Sequence, residues 1–176
     1  MNTKLMMAML AAGSVLTMTN AFAAAGTVNF NGNILDSACD VDVASQNQVV
    51  VLGDYYKTEF PTTGARTAAT QFNIILKNCP VTVTNAKVRF DGTPDLTNAS
   101  LLAIDTSVAR AATGVAINLM TADKADLPLH GSNSYTYALS STADNTLSFY
   151  AQYISTAASV TAGPANSVAH FSVVYN

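Results

Sequence analysis

Apolar and polar side chains alternate along several short stretches of the chain. In residues 168–176 the side chains of one parity are all apolar: Ala169, Phe171, Val173 and Tyr175. Residues 146–155 show the same period of two. Because successive side chains of a strand point to opposite faces, this pattern is typical of strands with one buried face. The sequence therefore predicts an all-β fold, arranged as a two-layer antiparallel sandwich.

Further strands are expected where β-branched and aromatic residues cluster between turn residues. These stretches are residues 48–53, 71–79, 86–92 and 114–120. Glycine and proline pairs such as Gly163-Pro164 predict the intervening turns. Residues 106–114 are compatible with a helical turn. Because no repeat, linker or low-complexity tail interrupts the pattern, we expect one domain.

The first 23 residues have the layout of a secretory signal peptide. Lys4 precedes an apolar run from Leu5 to Leu16, and Ala21-Phe22-Ala23 supplies the small residues of a cleavage site. The apolar run is too short to span a bilayer. Cleavage is expected after Ala23, and cleavage after Ala25 satisfies the same rule. The sequence thus predicts an exported protein.

The composition offers little material for catalysis or nucleic-acid binding. The formal net charge is −3 and only 11% of the residues are charged, so no basic surface for nucleic acid is expected. The two histidines are His130, in a predicted turn, and His170, on the polar parity of the last strand. No catalytic triad, paired-carboxylate motif or phosphate loop is present. We therefore expect neither an enzyme nor a metal or cofactor site.

Cys39 and Cys79 are the two cysteines of the chain. In an exported protein the simplest interpretation is one disulfide, formed in an oxidising compartment such as the bacterial periplasm. Two free thiols or a metal site are the alternatives, but no set of histidines or further cysteines accompanies the pair.

The stretch GTVNFNGNILDSAC, residues 26–39, alternates as well. Val28, Phe30 and Ile34 share one parity, and Gly32 leaves a gap among them. Glycine within a strand packs nothing and often marks the close approach of another backbone. Asn31-Gly32 would also fit a two-residue hairpin turn. Because the parity continues through Gly32, a continuous extended strand is the preferred interpretation.

Four blocks, in order behind the signal peptide, resemble the subunits of chaperone–usher fimbriae, the type 1-like pilins. They are GTVNFNGNILDSAC, then SQNQVVVLG with FNIILKNC, then VRFDG, LLAID and GVAINLM, and finally VTAGPANSVAHFSVVYN. In the last block Gly163 stands fourteenth from the C-terminal end and Tyr175 is penultimate, as in the C-terminal signature of that family. The resemblance extends over essentially the whole chain after the signal peptide.

The resemblance implies an incomplete immunoglobulin-like sandwich that lacks its last strand and is completed by donor-strand exchange. Residues 39–176 would form the pilin domain, and residues 24–38 an N-terminal extension donated to a neighbouring subunit. The implied donor-strand residues are Gly26, Val28, Phe30, Gly32 and Ile34. Gly32 would lie over the shallowest part of the neighbour's groove, and Gly26 would meet the pocket where chaperone displacement starts.

The same resemblance implies that the C-terminal strand borders the groove and contacts a periplasmic chaperone. The residues concerned are Gly163, Ala169, Phe171, Val173 and Tyr175. The expected function is that of a structural subunit of an adhesive surface fimbria, exported through the periplasm and an outer-membrane usher. Its expected partners are other pilin subunits, with no nucleic acid and no small-molecule substrate. The alternative is a secreted, lectin-like β-sandwich that binds carbohydrate.

Overall fold

A computed structural model describes residues 26–32, 34, 38–131 and 135–175. Within these ranges eight strands form two antiparallel sheets. The strands are β1 Asp40–Val41, β2 Thr70–Lys77, β3 Asn85–Gly92, β4 Leu102–Ala103, β5 Val115–Met120, β6 Tyr137–Ala138, β7 Asn145–Ser155 and β8 Ala169–Tyr175. The first sheet has the order β1-β2-β7-β5-β4 and the second the order β6-β3-β8. The predicted all-β, two-sheet fold is confirmed.

Helical structure in the described ranges is confined to two short pieces. They are α1, Val43–Gln46, and a 3₁₀ turn, Lys57–Glu59. Asp42 caps α1 by accepting a hydrogen bond from the N–H of Ala44 at 2.9 Å, which satisfies one of the donors that a helix start leaves unpaired. None of the described helices is long and apolar enough to cross a membrane.

Aromatic and aliphatic side chains from both sheets meet in one core. Phe149 of β7 and Phe90 of β3 belong to different sheets, and their ring centroids lie 5.3 Å apart in an edge-to-face arrangement. Phe72 of β2 stacks on Phe149 at 5.6 Å. In β2, β3 and β7 the parity that carries these rings is the more buried one, whereas all six residues of β5 are buried.

The predicted disulfide is present between Cys39 and Cys79, whose Cα atoms are 4.2 Å apart. It joins the residue before β1 to the second residue after β2, and β1 pairs antiparallel with β2. Both cysteines are buried. The covalent loop therefore contains α1, residues 48–55 and the whole of β2.

Two local predictions are wrong. Residues 48–53 form no regular strand, because their backbone has no hydrogen bond to a strand in the described part of the chain. Residues 106–114 form turns and not a helical turn. There, Asp105 accepts hydrogen bonds from the N–H and the hydroxyl of Ser107, which stabilise a turn. The N–H of Ala112 donates to the carbonyl of Pro164, far along the chain, and not to a carbonyl of a preceding helical turn.

Residues 26–32 form no regular element. Neither Asn31 nor Gly32 has a positive φ, which the two-residue hairpin turn would require. The predicted signal peptide, residues 1–23, and the two candidate cleavage positions after Ala23 and Ala25 lie outside the described residues. Parts of the predicted extension 24–38 are outside them too.

Candidate functional site

A long cleft of about 880 Å³ opens along the sandwich. One side is formed by residues 45–55, here called the N-terminal rim, and the other by residues 160–171, the C-terminal rim. The floor comes from strands of both sheets. Eight of the lining side chains pack against the core yet are only partly buried: Leu52, Tyr55, Phe72, Tyr153, Val160, Ala165, Ala169 and Phe171. The cleft is thus an exposed portion of the hydrophobic core.

The N-terminal rim is attached to the domain mainly by side chains. Among the described residues, no backbone hydrogen bond joins 48–54 to a strand. The side-chain amide of Gln48 donates to the carbonyl of Asn73 at 3.2 Å. Val49 and Val51 are 88% and 75% exposed, whereas Val50 and Leu52 are half-buried. This rim has strand-like alternation and an unpaired backbone.

The C-terminal rim is hydrogen-bonded along its outer side. The N–H of Thr161 donates to Thr113 at 3.1 Å, and the carbonyl of Pro164 accepts from Ala112 at 2.9 Å. Farther along, β8 pairs antiparallel with β3, and β8 is the edge strand of its sheet within the described chain. The backbone groups on the cleft side of β8 are therefore available to another strand, which is the usual liability of an edge strand.

The cleft carries few charges. The charged or titratable lining residues other than tyrosine are Asp54, Lys57 and His170. Burial raises the pKa of the Tyr153 hydroxyl, and the nearby Asp54 carboxylate raises it further. An apolar floor between two polar backbone edges is suited to an extended peptide with apolar side chains on one face. It offers few ionic partners to a charged ligand.

The predicted donor-strand residues lie in the described N-terminal part of the chain. Val28, Phe30 and Ile34 are 74%, 92% and 101% exposed. Among the described residues, no atom beyond the chain neighbours lies within 4 Å of the position that a Cβ would take at Gly26 or Gly32. Most of the surface of these three apolar side chains is therefore available for burial against another molecule.

The structure divides the predicted C-terminal residues between the cleft and the core. Gly163, Ala169 and Phe171 line the cleft. Val173 and Tyr175 pack against the core beyond it, where the Tyr175 hydroxyl donates to the carbonyl of Cys39 at 3.4 Å.

Gly163 is required by a close approach of two backbones. A Cβ built there would lie 2.0 Å from the carbonyl oxygen of Arg110 and 2.7 Å from the nitrogen of Ala112. No side chain fits at such distances, so the glycine lets the C-terminal rim lie against residues 110–112.

Most residues of the cleft were not identified from the sequence, among them Tyr55, Phe72 and Tyr153. Tyr153 shares the apolar parity of Phe149, so the pattern placed it in the core but gave no sign that it faces the cleft. Tyr55 lies outside any alternating stretch. That these side chains line the cleft is visible only in the folded structure, where the rims lie beside the floor.

A family model described as "Fimbrial protein" matches residues 28–176. The S-fimbrial protein subunit SfaG of Escherichia coli O6:K15:H31 is 35% identical over 164 residues, covering 93% of this chain and 91% of that protein. A type-1 fimbrial protein A chain of Escherichia coli is 38% identical over 152 residues, covering 85% and 82%. These relatives are fimbrial subunits, so they do not favour the lectin-like alternative.

Solved structures agree with these relatives. A Burkholderia pseudomallei antigen and type I fimbria protein is 35% identical, with a TM-score of 0.60 and coverage of 80% of this chain and 91% of that one. A subunit of a chaperone–usher pilus is 25% identical, with a TM-score of 0.66 and coverage of 92% and 100%. The P pilus rod subunit PapA, at 22% identity and a TM-score of 0.65, has the same fold. The sandwich is therefore the immunoglobulin-like fold of pilins.

Proposed function

This chain belongs to the fimbrial protein family, as a structural subunit of surface fimbriae and not an enzyme, and from this premise we propose that it polymerises by donor-strand exchange. Each subunit accepts a strand into its cleft and donates residues 24–38 to the cleft of the next. Residues 39–176 form the accepting domain.

The observation that carries this proposal is the cleft itself. Core side chains are exposed there between two rims that, within the described chain, have no strand hydrogen-bonded to them on the cleft side. Residues 26–34 would span about 30 Å as an extended strand, at about 3.3 Å per residue. Residues 45 and 46 of the N-terminal rim belong to α1, and its other nine residues, 47–55, would span about the same length. The rim is therefore long enough to pair with the donated strand along its whole length.

The donated strand matches the cleft in chemistry. Residues 26–34 carry no charged side chain. In our proposal Val28, Phe30 and Ile34 point to the floor, Asn29 and Asn31 point away, and Gly32 crosses a shallow part of the floor. Full burial of the three apolar side chains is worth about 5–9 kcal/mol, at about 1.5–3 kcal/mol each. Backbone hydrogen bonds to both rims add about 0.5–1.5 kcal/mol each.

Donation of a core strand accounts for the persistence of a fimbria. Because the inserted strand becomes part of the acceptor's core, separating two subunits requires local unfolding of the acceptor. The lifetime of the filament is then set by an unfolding barrier and not by binding equilibrium alone. The function is assembly through shared cores.

Export and delivery follow from the same proposal. An exposed apolar cleft invites aggregation until it is covered. We propose that the signal peptide, residues 1–23, directs the chain to the periplasm, where a chaperone covers the cleft beside β8. An outer-membrane usher then exchanges the chaperone's strand for the extension of the next subunit.

The test compares two neighbouring substitutions in the extension of the otherwise unaltered secreted chain. Phe30→Asp places a charge on the parity that enters the cleft, whereas Asn31→Asp places the same charge on the opposite parity. We expect Phe30→Asp subunits to accept a strand but to stop filament growth, and Asn31→Asp subunits to form filaments of normal length in electron micrographs.

Filaments of normal length and number from Phe30→Asp subunits would rule out this donor strand. Equal loss of filaments in both variants would show that the added charge prevents assembly on either parity. It would contradict the insertion of only one face of this strand into the cleft.

A further inference from the structure

One tyrosine of the cleft floor contacts both rims. Tyr153 belongs to β7, in the centre of the first sheet. Its ring lies edge-to-face against the ring of Tyr55, with centroids 6.1 Å apart. Its hydroxyl donates a hydrogen bond to the carbonyl of Ala165 at 3.0 Å. Tyr55 belongs to the N-terminal rim and Ala165 to the C-terminal rim.

The position of Tyr153 is itself fixed by the sheet. Its N–H donates to the Thr67 hydroxyl at 3.0 Å, and it lies opposite Ile117 in the ladder between β5 and β7. Its side chain therefore projects from a central strand whose backbone is paired on both sides. Both rims therefore contact the same side chain, which the sheet holds in place.

The contact with Tyr55 carries unusual weight because the N-terminal rim has so few other attachments. In the described chain its residues 48–54 have no backbone hydrogen bond to a strand. Edge-to-face aromatic pairs are worth about 0.5–1.5 kcal/mol beyond the area they bury. The ring of Tyr55 is thus one of the few anchors for the C-terminal end of this rim.

We propose that Tyr153 is a positioning residue for strand acceptance, which holds the two rims at the spacing that one inserted strand needs. A strand between two others requires them to lie about 9.6 Å apart, twice the spacing of paired strands. Rims held at that separation before insertion lose less conformational freedom when the strand enters. This inference rests on the proposed function.

The hydroxyl of Tyr153 remains a donor at neutral pH. Its pKa is raised, first by burial and then by the Asp54 carboxylate on the N-terminal rim and by Tyr55. Ionisation of the hydroxyl therefore does not remove the bond to the Ala165 carbonyl at neutral pH.

The experiment uses the secreted chain carrying Phe30→Asp, so that it accepts a strand without donating one. The probe is a synthetic peptide with the sequence of residues 26–38. Tyr153→Phe removes the hydrogen bond to Ala165 and keeps the ring. We expect the dissociation rate of the peptide to rise about 2- to 10-fold, as the loss of one hydrogen bond predicts.

The matched control is Tyr137→Phe. The Tyr137 hydroxyl donates to the carbonyl of Ser148 at 2.6 Å, and Tyr137 does not line the cleft. This variant also loses one partly buried hydrogen bond, so the peptide-free subunit should unfold at a lower urea concentration. Its peptide dissociation rate should stay within twofold of the parent.

A second pair of variants tests the ring contact. Tyr55→Ala removes the ring from the N-terminal rim and should speed peptide dissociation at least as much as Tyr153→Phe does. Tyr55→Phe keeps the ring and should behave as the parent, since no hydrogen bond of the Tyr55 hydroxyl is found among the described residues.

The outcomes distinguish a failure of the positioning role of Tyr153 from a failure of donor-strand exchange. If the Phe30→Asp chain binds no peptide, donor-strand exchange itself is wrong and the inference falls with it. If the peptide binds but Tyr153→Phe releases it no faster than Tyr137→Phe, the positioning role is wrong and strand acceptance stands.

Discussion

The sharpest prediction concerns Phe30, the largest side chain of the proposed donor strand. It is 92% exposed in the subunit, so nearly its whole apolar surface is available for burial in a neighbour's cleft. Truncation to alanine removes about 2–3 kcal/mol of burial. We therefore expect a peptide of residues 26–38 carrying Phe30→Ala to dissociate about 30- to 150-fold faster than the parent peptide.

The measurement is displacement of a fluorescently labelled peptide from the Phe30→Asp chain by excess unlabelled parent peptide. Asn31→Ala in the labelled peptide is the control, because Asn31 lies on the parity that faces away from the cleft in our proposal. Its dissociation rate should change less than twofold. A change of less than fivefold for Phe30→Ala, or equal changes for the two peptides, would refute the assignment of the inserted face.

Three further predictions rest on other parts of the structure. Gly32→Val should leave urea unfolding of the subunit unchanged, since no described residue beyond its chain neighbours lies within 4 Å of a Cβ built at Gly32, yet it should shorten filaments in micrographs. Filaments of normal length would contradict a shallow floor at this position. Replacing Cys39 and Cys79 with alanine opens a loop with a sequence separation of 40 and should lower the free energy of unfolding by about 4 kcal/mol; a loss under 1 kcal/mol in urea titrations would contradict this. Gly163→Ala should lower the free energy of unfolding by about 1–3 kcal/mol or more through overpacking against the backbone of Arg110. An unchanged urea midpoint would show that the C-terminal rim can move away from residues 110–112 without loss of stability.

Most strands were predictable because their side chains alternate and pair within one chain. The alternation of residues 168–176 predicted β8, which pairs with β3 over seven residues. Residues 48–53 have equally strand-like composition, yet form no strand. A strand is defined by its backbone partners as well as by its side chains, and the described chain offers this segment none. In our proposal the missing partner is the strand of another subunit.

The candidate site was predictable only in part. Parity identified the inward face of β8, and the resemblance to pilins identified the groove beside it. Neither could show that Tyr153 reaches both rims, because its contacts with Tyr55 and Ala165 join segments far apart in the sequence. The role of Gly163 was likewise hidden, since a turn glycine and a glycine at a close backbone approach look alike in a sequence.

Hydrogen exchange of the Phe30→Asp chain, with and without the peptide of residues 26–38, tests strand insertion most directly. The peptide should slow amide exchange in both rims, residues 48–54 and β8, because each rim gains backbone hydrogen bonds on its cleft side. Protection of neither rim, or of residues remote from the cleft alone, would contradict it.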